Sequence, residues 1–398
     1  MVRVMIAASH PLQCTGYARV GCALANGLAE RGFDIVYFAY QNLAPNASRE
    51  IHPLVHVIDV GATINDPWGF GESIIQKVVD DHTIDIVVLY NDVMVVNRFM
   101  ESLDPSTKII TYLDLVHDNE DYQLIKNIDR RSSNIWVFAD HWKTHLAKAY
   151  GTSKQKIHVL PHGIDACFFP VDQEKARMRL GLPLNGLILL NTNRNSYRKA
   201  LDLTIKVFLE FYASGKKDVY LFLNNNANTP SGYDIPGIIV QECRRLGLDA
   251  DHVMTHRILG MPNSGFLSDE ILNLLYNACD IGINTCVGEG FGLCNMEHAS
   301  VGRPQLVNGV GGLNSIFVDN QGGVCVKPIA SLALCRGFCA HGGTMEIPDV
   351  VKMTSLLEEW HANPAIAVEI TKTFVSKRFS WARILDAAAA SIEKCARR

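Results

Sequence analysis

The sequence predicts an α/β chain made of two Rossmann-like units, each a parallel sheet covered by helices on both faces. Three observations lead there. Short, near-continuous apolar runs alternate with amphipathic stretches of helical length along most of the chain. The alternation pauses once, at a Pro/Gly-rich stretch around residues 161 to 186, and then restarts. The length of 398 residues, 48% apolar and 20% charged, exceeds one ordinary domain and supplies material for two cores.

In the first half the strands are "VRVMIAA", "DIVYFAY", "IDIVVLY", "KIITYL", "NIWVFA" and "KIHVLP". After the first of them a polar turn leads into "GYARVGCALANGLAERG", where Val20, Leu24 and Leu28 share one helical face and Gly32 closes the helix. Helical stretches such as "GESIIQKVVDDH" and "HWKTHLAKAYG" separate later strands. The second half repeats the scheme with "LILLNT", "VYLFLNN", "HVMTHRI", "IGINT", "PQLVNG" and "GGVCVKP". Its helices are "ALDLTIKVFLEFYAS", "IPGIIVQECRRLGL", "DEILNLLYNACD" and one beginning near Cys294. The expected boundaries are 1–172 for an N-terminal Rossmann-like domain and 173–376 for a C-terminal one. A final helix, 377–398, is expected to return to the first domain. Ligands of open parallel sheets sit at the carboxyl ends of the strands, so two such sheets facing each other would frame a cleft.

The bulk properties exclude several classes. A net charge of −4 argues against a broad nucleic-acid surface. The opening "MVRVMIAASHPLQ" lacks the pattern of a secretory signal, and no apolar run reaches the ~20 residues of a transmembrane helix. A cytoplasmic protein follows as the expectation, with peripheral membrane association compatible. Eleven dispersed cysteines, an odd number, fit a reducing compartment. Cys335, Cys339 and His341 lack a fourth ligand at a usual spacing and read as thiols buried on a helix. Asn46-Ala-Ser48 matches a glycosylation acceptor that the absent secretion signal makes accidental. The one Asp-x-Asp, Asp249-Ala-Asp251, precedes the expected strand "HVMTHRI" and reads as a surface turn. Neither a metal nor a cofactor is therefore expected.

The chemistry concentrates in "CVGEGFGLCNMEH", residues 286 to 298. "IGINT" ends at the binding edge of the sheet, Gly288 to Gly292 form a loop, and a helix starts close to Leu293. Gly290 and Gly292 let the backbone approach a ligand closely. The amides of Phe291, Gly292 and Leu293 stand at a helix N-terminus, which favours an anion. Carboxylates beside a phosphate repel it, so Glu289 and Glu297 need hydroxyl partners. A nucleotide-sugar supplies both kinds of group: Glu289 would hold the hexose and Glu297 the ribose. In "NTNRNSYRKALDL", Arg194, Arg198 and Lys199 follow a strand and open a helix. They are placed to neutralise the charge growing on a departing nucleoside diphosphate.

With "VLPHGIDACFFP", "DEILNLLYNACDIGINT" and "EGFGLCNMEHASVGRPQLVNGVGG", these motifs resemble in order and spacing the retaining glycosyltransferases of family 4. The resemblance is dense from about residue 157 to 328 and returns in the "FSW" of the tail. It is nearest to mannosyltransferase-like members, including virus-encoded ones of chlorovirus type, for which a host cytoplasm would be the setting. It implies the GT-B fold, two facing Rossmann-like domains, with Glu289 on the donor sugar and Glu297 on the ribose. Lys199, with Arg194 or Arg198, takes the place of the basic pair on the pyrophosphate. Ala200 stands where the family usually has glycine, and Ser315 where many members have glutamate. Gly16 fits the first glycine-bearing loop near the phosphates. For the histidine often found near the reacting carbon, "TYLDLVHDNEDY" offers Asp114 and His117. His162 reads as a hinge residue with Gly163. Trp68 in "NDPWGFG" is either a sugar-stacking or a buried structural ring.

The expectation is a metal-independent retaining hexosyltransferase with GDP-mannose as first candidate donor and UDP-hexoses next. The base would be read around Arg257 and Ile258, largely by backbone groups. Partners would be the donor and a glycan, glycolipid or glycoprotein acceptor, with a homodimer as a candidate assembly. A nicotinamide dehydrogenase is disfavoured, because "ASHPLQCTGYARVG" lacks G-x-G-x-x-G. A GT-B epimerase and a non-catalytic nucleotide-sugar-binding subunit are the alternatives.

Overall fold

The computed structural model describes residues 2–42, 49–224, 232–260, 267–317, 321–335, 339–372, 374 and 376–397. The matched acceptor Asn46-Ala-Ser48 lies outside them. The chain divides into two compact units: residues 1–163, 333–343 and 378–398, and residues 164–332 and 344–377.

The first unit contains β1 (Arg3–Ser9), β2 (Asp34–Tyr40), β3 (Val55–Asp59), β4 (Ile86–Asp92), β5 (Ile109–Asp114), the short β6 (Asp118–Glu120), β7 (Asn134–Val137) and β8 (Ile157–Val159). Seven of these form one parallel sheet in the order β3-β2-β1-β4-β5-β7-β8. Helix Gly16–Ala29 starts where Thr15 caps the amide of Ala18, and it buries Val20, Leu24 and Leu28 as its periodicity requires. The last helix, Trp381–Ala396, belongs to this unit. Its Ser391 hydroxyl accepts from the Trp136 indole at 2.9 Å. Gly27 is bare because any Cβ there would meet Leu385.

In the second unit β9 (Leu187–Asn191), β10 (Val219–Leu223), β11 (Ile258–Leu259), β12 (Ile281–Asn284), β13 (Gln305–Asn308) and β14 (Gly323–Val326) form a parallel sheet. Its order is β11-β10-β9-β12-β13-β14. The chain winds outward from β9 in one direction and from β12 in the other. Their carboxyl ends therefore form the switch point at which open α/β sheets bind ligands. A hairpin of β15 (Ala330–Ala333) and β16 (Gly342–Ile347) follows.

Two expectations are corrected. "HVMTH" is not a strand: Ala250–His256 is a helix, because the Asp249 carboxylate caps the amides of Asp251 and His252. The strand is the short Ile258–Leu259 that follows. Cys335 and Cys339, between β15 and β16, are not buried thiols: Cys335 is exposed and Cys339 half-buried. Trp68 is 70% exposed, which removes the buried structural alternative. Among the described residues no helix is long and apolar enough to cross a membrane.

Candidate active site

The second unit builds its site from two neighbouring strands. After β9 the chain makes a tight turn, Tyr197–Lys199, and enters helix Leu201–Ala213. After β12 it runs through residues 285–292 into helix Leu293–Ser300. The two loops are tied by their backbones, since the Val287 amide donates to the Arg198 carbonyl at 2.9 Å. The Thr285 hydroxyl donates to the Ala200 carbonyl at 2.8 Å. Residues almost ninety positions apart are thereby held side by side.

Glu289 lies between the two cations. Its Oε2 accepts from Lys199 Nζ, and its Oε1 is 3.5 Å from Arg198 Nη1, which also donates to the Gly288 carbonyl at 2.6 Å. Only 6% of Glu289 and 9% of Lys199 are exposed. Burial pushes the Glu289 carboxyl up, but Lys199 and Arg198 outweigh it and hold the group down at about 2. Two cations against one carboxylate leave an excess positive charge, which suits a phosphate. The folded value lies below the ordinary 4.5. The pair's stabilisation should thus be complete above that value and vanish as pH falls through about 2. Acid unfolding of the native chain beside Glu289→Gln should show a stability gap above pH ~5 that closes towards pH ~2.

The remaining glycines and amides agree with this chemistry. Gly292 takes φ +83, a left-handed conformation natural to glycine, and the helix after it has no side-chain cap. Gly311-Gly312, to which the sequence analysis assigns no role, also shapes the loop. Gly312 donates its amide to the Glu289 carbonyl at 3.0 Å, and a Cβ on it would lie 2.1 Å from the Gly290 carbonyl oxygen.

Glu297 is buried one turn into the helix and accepts from the Tyr276 hydroxyl at 2.7 Å. Tyr276 stacks on His298, and burial first, then the Glu297 charge, keeps its phenol protonated. Tyr276 had no sequence signal, because its partner lies on another helix. Arg194 is exposed and, among the described residues, pairs with neither glutamate. Arg257 sets its guanidinium over the rings of Tyr220 and Tyr212, at 5.2 and 5.9 Å. The backbone of Ile258 lies in β11 at the sheet edge.

Ala200, where a glycine was expected, adopts φ +44 and ψ 51. An L-residue with a side chain pays for this conformation, so Ala200→Gly should stabilise the unit by about 1 kcal/mol. A thermal melt should rise by about 2–4 °C, and a fall would show that the lost methyl matters more.

The other predicted residues belong to the first unit. Gly16 opens helix Gly16–Ala29, and the next residue, Tyr17, donates its hydroxyl to Asp114 Oδ2 at 2.6 Å. Burial and the Asp114 charge keep that phenol protonated. His117 is buried, and its amide, with that of Val116, donates to Glu120 Oε1 at 3.1 and 3.0 Å. His162 is enclosed by Tyr112, Tyr90 and Phe138, and burial holds its imidazole down at about 3. Its role is to fill the core. Among the described residues no three His, Cys, Asp or Glu side chains are arranged to hold a metal ion.

This architecture defines a class: two Rossmann-like halves with the fold of the GT-B glycosyltransferases. Sucrose-phosphate synthase from Thermosynechococcus elongatus superposes with a TM-score of 0.74 at 15% identity, over 99% of each chain. Anabaena HepE, solved with UDP and glucose, does so with a TM-score of 0.69 at 15% identity, over 99% of this chain and 100% of that one.

Sequence likeness points to particular relatives. The chain is 28% identical over 199 residues to the D-inositol 3-phosphate glycosyltransferase of Acidothermus cellulolyticus, a match covering 50% of this chain and 42% of that protein. It is 31% identical over 205 residues to the one of Segniliparus rotundus, covering 51% and 42%. The match therefore spans less than half of each of these relatives. No family model matches the chain.

Proposed function

We propose that the protein is a retaining glycosyltransferase that moves a hexosyl group from a nucleoside-diphosphate sugar to an acceptor hydroxyl without a metal ion. The observation that carries this is the Lys199–Glu289–Arg198 cluster, its lysine and glutamate buried, at the switch point of the second sheet and beside a helix N-terminus without a side-chain cap. The excess positive charge and the helix dipole suit a diphosphate leaving group. The carboxylate suits sugar hydroxyls.

In this reading Lys199 turns from Glu289 towards the phosphates when donor binds, and Glu289 accepts from the sugar. Glu297, oriented by Tyr276, accepts from the ribose. The leaving phosphate takes the acceptor's proton on the face it departs from, so no strong protein base is needed. The chain contributes positioning and charge stabilisation. GDP-mannose is the first donor to test and UDP-glucose the second, since HepE was solved with UDP and glucose.

Calorimetry with GDP-mannose, UDP-glucose and the free nucleotides, each with and without a chelator, tests the reading. Binding of one donor at unchanged affinity in chelator is expected. Binding abolished by chelator would refute the metal-free mechanism, and binding of none would refute the donor class.

A further inference from the structure

Tyr276 is itself held from several sides, all within the second unit. Its phenol oxygen, which donates to Glu297 Oε2 at 2.7 Å, also accepts from the Thr192 hydroxyl on the loop after β9. Its ring lies against the His298 imidazole, with centroids 5.4 Å apart and planes 21° from parallel. Its carbonyl, with that of Cys279, accepts from the same imidazole. His298 is 2% exposed, and its Nε2 is buried with no hydrogen-bond partner among the described residues. Nδ1 is therefore the atom that donates.

We propose that His298 is a positioning residue: with Thr192 it clasps Tyr276, so that Glu297 stays aimed at the ribose hydroxyls of the nucleotide. This rests on the assignment of Glu297 to the ribose made above. The clasp joins elements distant in sequence. Thr192 follows β9, Tyr276 lies near the end of helix Asp269–Ala278, and Glu297 and His298 are neighbours on helix Leu293–Ser300. Burial first, then the Arg303 charge, holds the imidazole down at about 3, so near pH 7 it is neutral and keeps one proton for the carbonyls. The cavity that His298 borders with Asn193, Asn295 and Gln305 measures only about 10 Å³, which leaves the ring no room to swing away from Tyr276.

The physical gain is preorganisation. A carboxylate that must find its rotamer at each binding event loses affinity to that ordering. With the phenol fixed at its oxygen and along its ring, Glu297 meets the ribose already ordered. Without His298 the phenol keeps Thr192 alone, and the carboxylate it directs is free to wander. The loss should therefore fall on ligands that carry the ribose hydroxyls and spare those that lack them.

The test is calorimetry of the full chain with GDP and with UDP, each beside its 2′,3′-dideoxy form. The native chain should bind the ribose form of the accepted nucleotide about tenfold or more tightly than the dideoxy form, as charge-assisted hydrogen bonds to hydroxyls require. His298→Leu is similar in bulk but neither donates nor stacks. It should reduce that preference to about threefold or less while binding the dideoxy form as the native chain does. His298→Asn, which restores a donor near Nδ1, should regain part of the preference. Tyr276→Phe should lose the preference as well, and adding His298→Leu to it should remove little more, since both act on one carboxylate. A preference left intact in His298→Leu and His298→Asn, or an equal loss of both nucleotide forms, would overturn the proposal. Equal binding of the two forms by the native chain would overturn the ribose assignment of Glu297 and this inference with it.

Discussion

Lys199→Ala should lower affinity for the nucleoside diphosphate by about 2–4 kcal/mol, roughly 30- to 1000-fold. The side chain is 9% exposed and bonded to Glu289, so its ammonium is held in place before any ligand arrives. A partly desolvated cation gains more from a phosphate than one in open water does. The same substitution leaves Glu289 buried with Arg198 alone, at 3.5 Å, and that should cost stability by about 3–5 kcal/mol. The double change Lys199→Met with Glu289→Gln separates the two effects, since it removes both charges together. The melting temperature should recover and the affinity should not. Calorimetry and thermal melts read both. Unchanged affinity for the diphosphate in the single variant would take Lys199 out of the phosphate site.

Glu289→Gln should act in the opposite sense. Removing the carboxylate frees Lys199 and Arg198 from their present partner, so the nucleotide should bind equally well or more tightly. Transfer should fall by about 100-fold or more, because a neutral amide is a weaker acceptor for sugar hydroxyls whose hydrogen bonds strengthen as positive charge develops on the ring. Steady-state rates beside nucleotide affinities distinguish the cases. A variant with intact turnover and weakened nucleotide binding would show that the roles of Glu289 and Glu297 are reversed.

Much of the fold was legible in the sequence because buried parallel strands are short apolar runs with few alternatives. β1, β2, β4, β5 and β7 of the first sheet and β9, β10, β12, β13 and β14 of the second all coincide with such runs. Where the signal was weaker the reading failed. "HVMTH" looks extended by composition, yet Asp249 supplies a cap and the helix follows. The edge strand β3 has only Val55 buried, so its pattern does not stand out. Cys335 and Cys339, expected as buried thiols, are exposed and half-buried.

The sequence by itself determined the glycine-bearing loop, the spacing of Glu289 and Glu297, and the cations ahead of a helix. All of these depend on neighbours within about ten positions, and local backbone preference decides them. Only the tertiary structure decided that Lys199 and Arg198 meet Glu289 and that Tyr276 holds Glu297. Those pairings come from which strands lie adjacent in a sheet and which helices pack beside one another. Adjacency of that kind is fixed by burial of the whole apolar set, and no local run of residues encodes it.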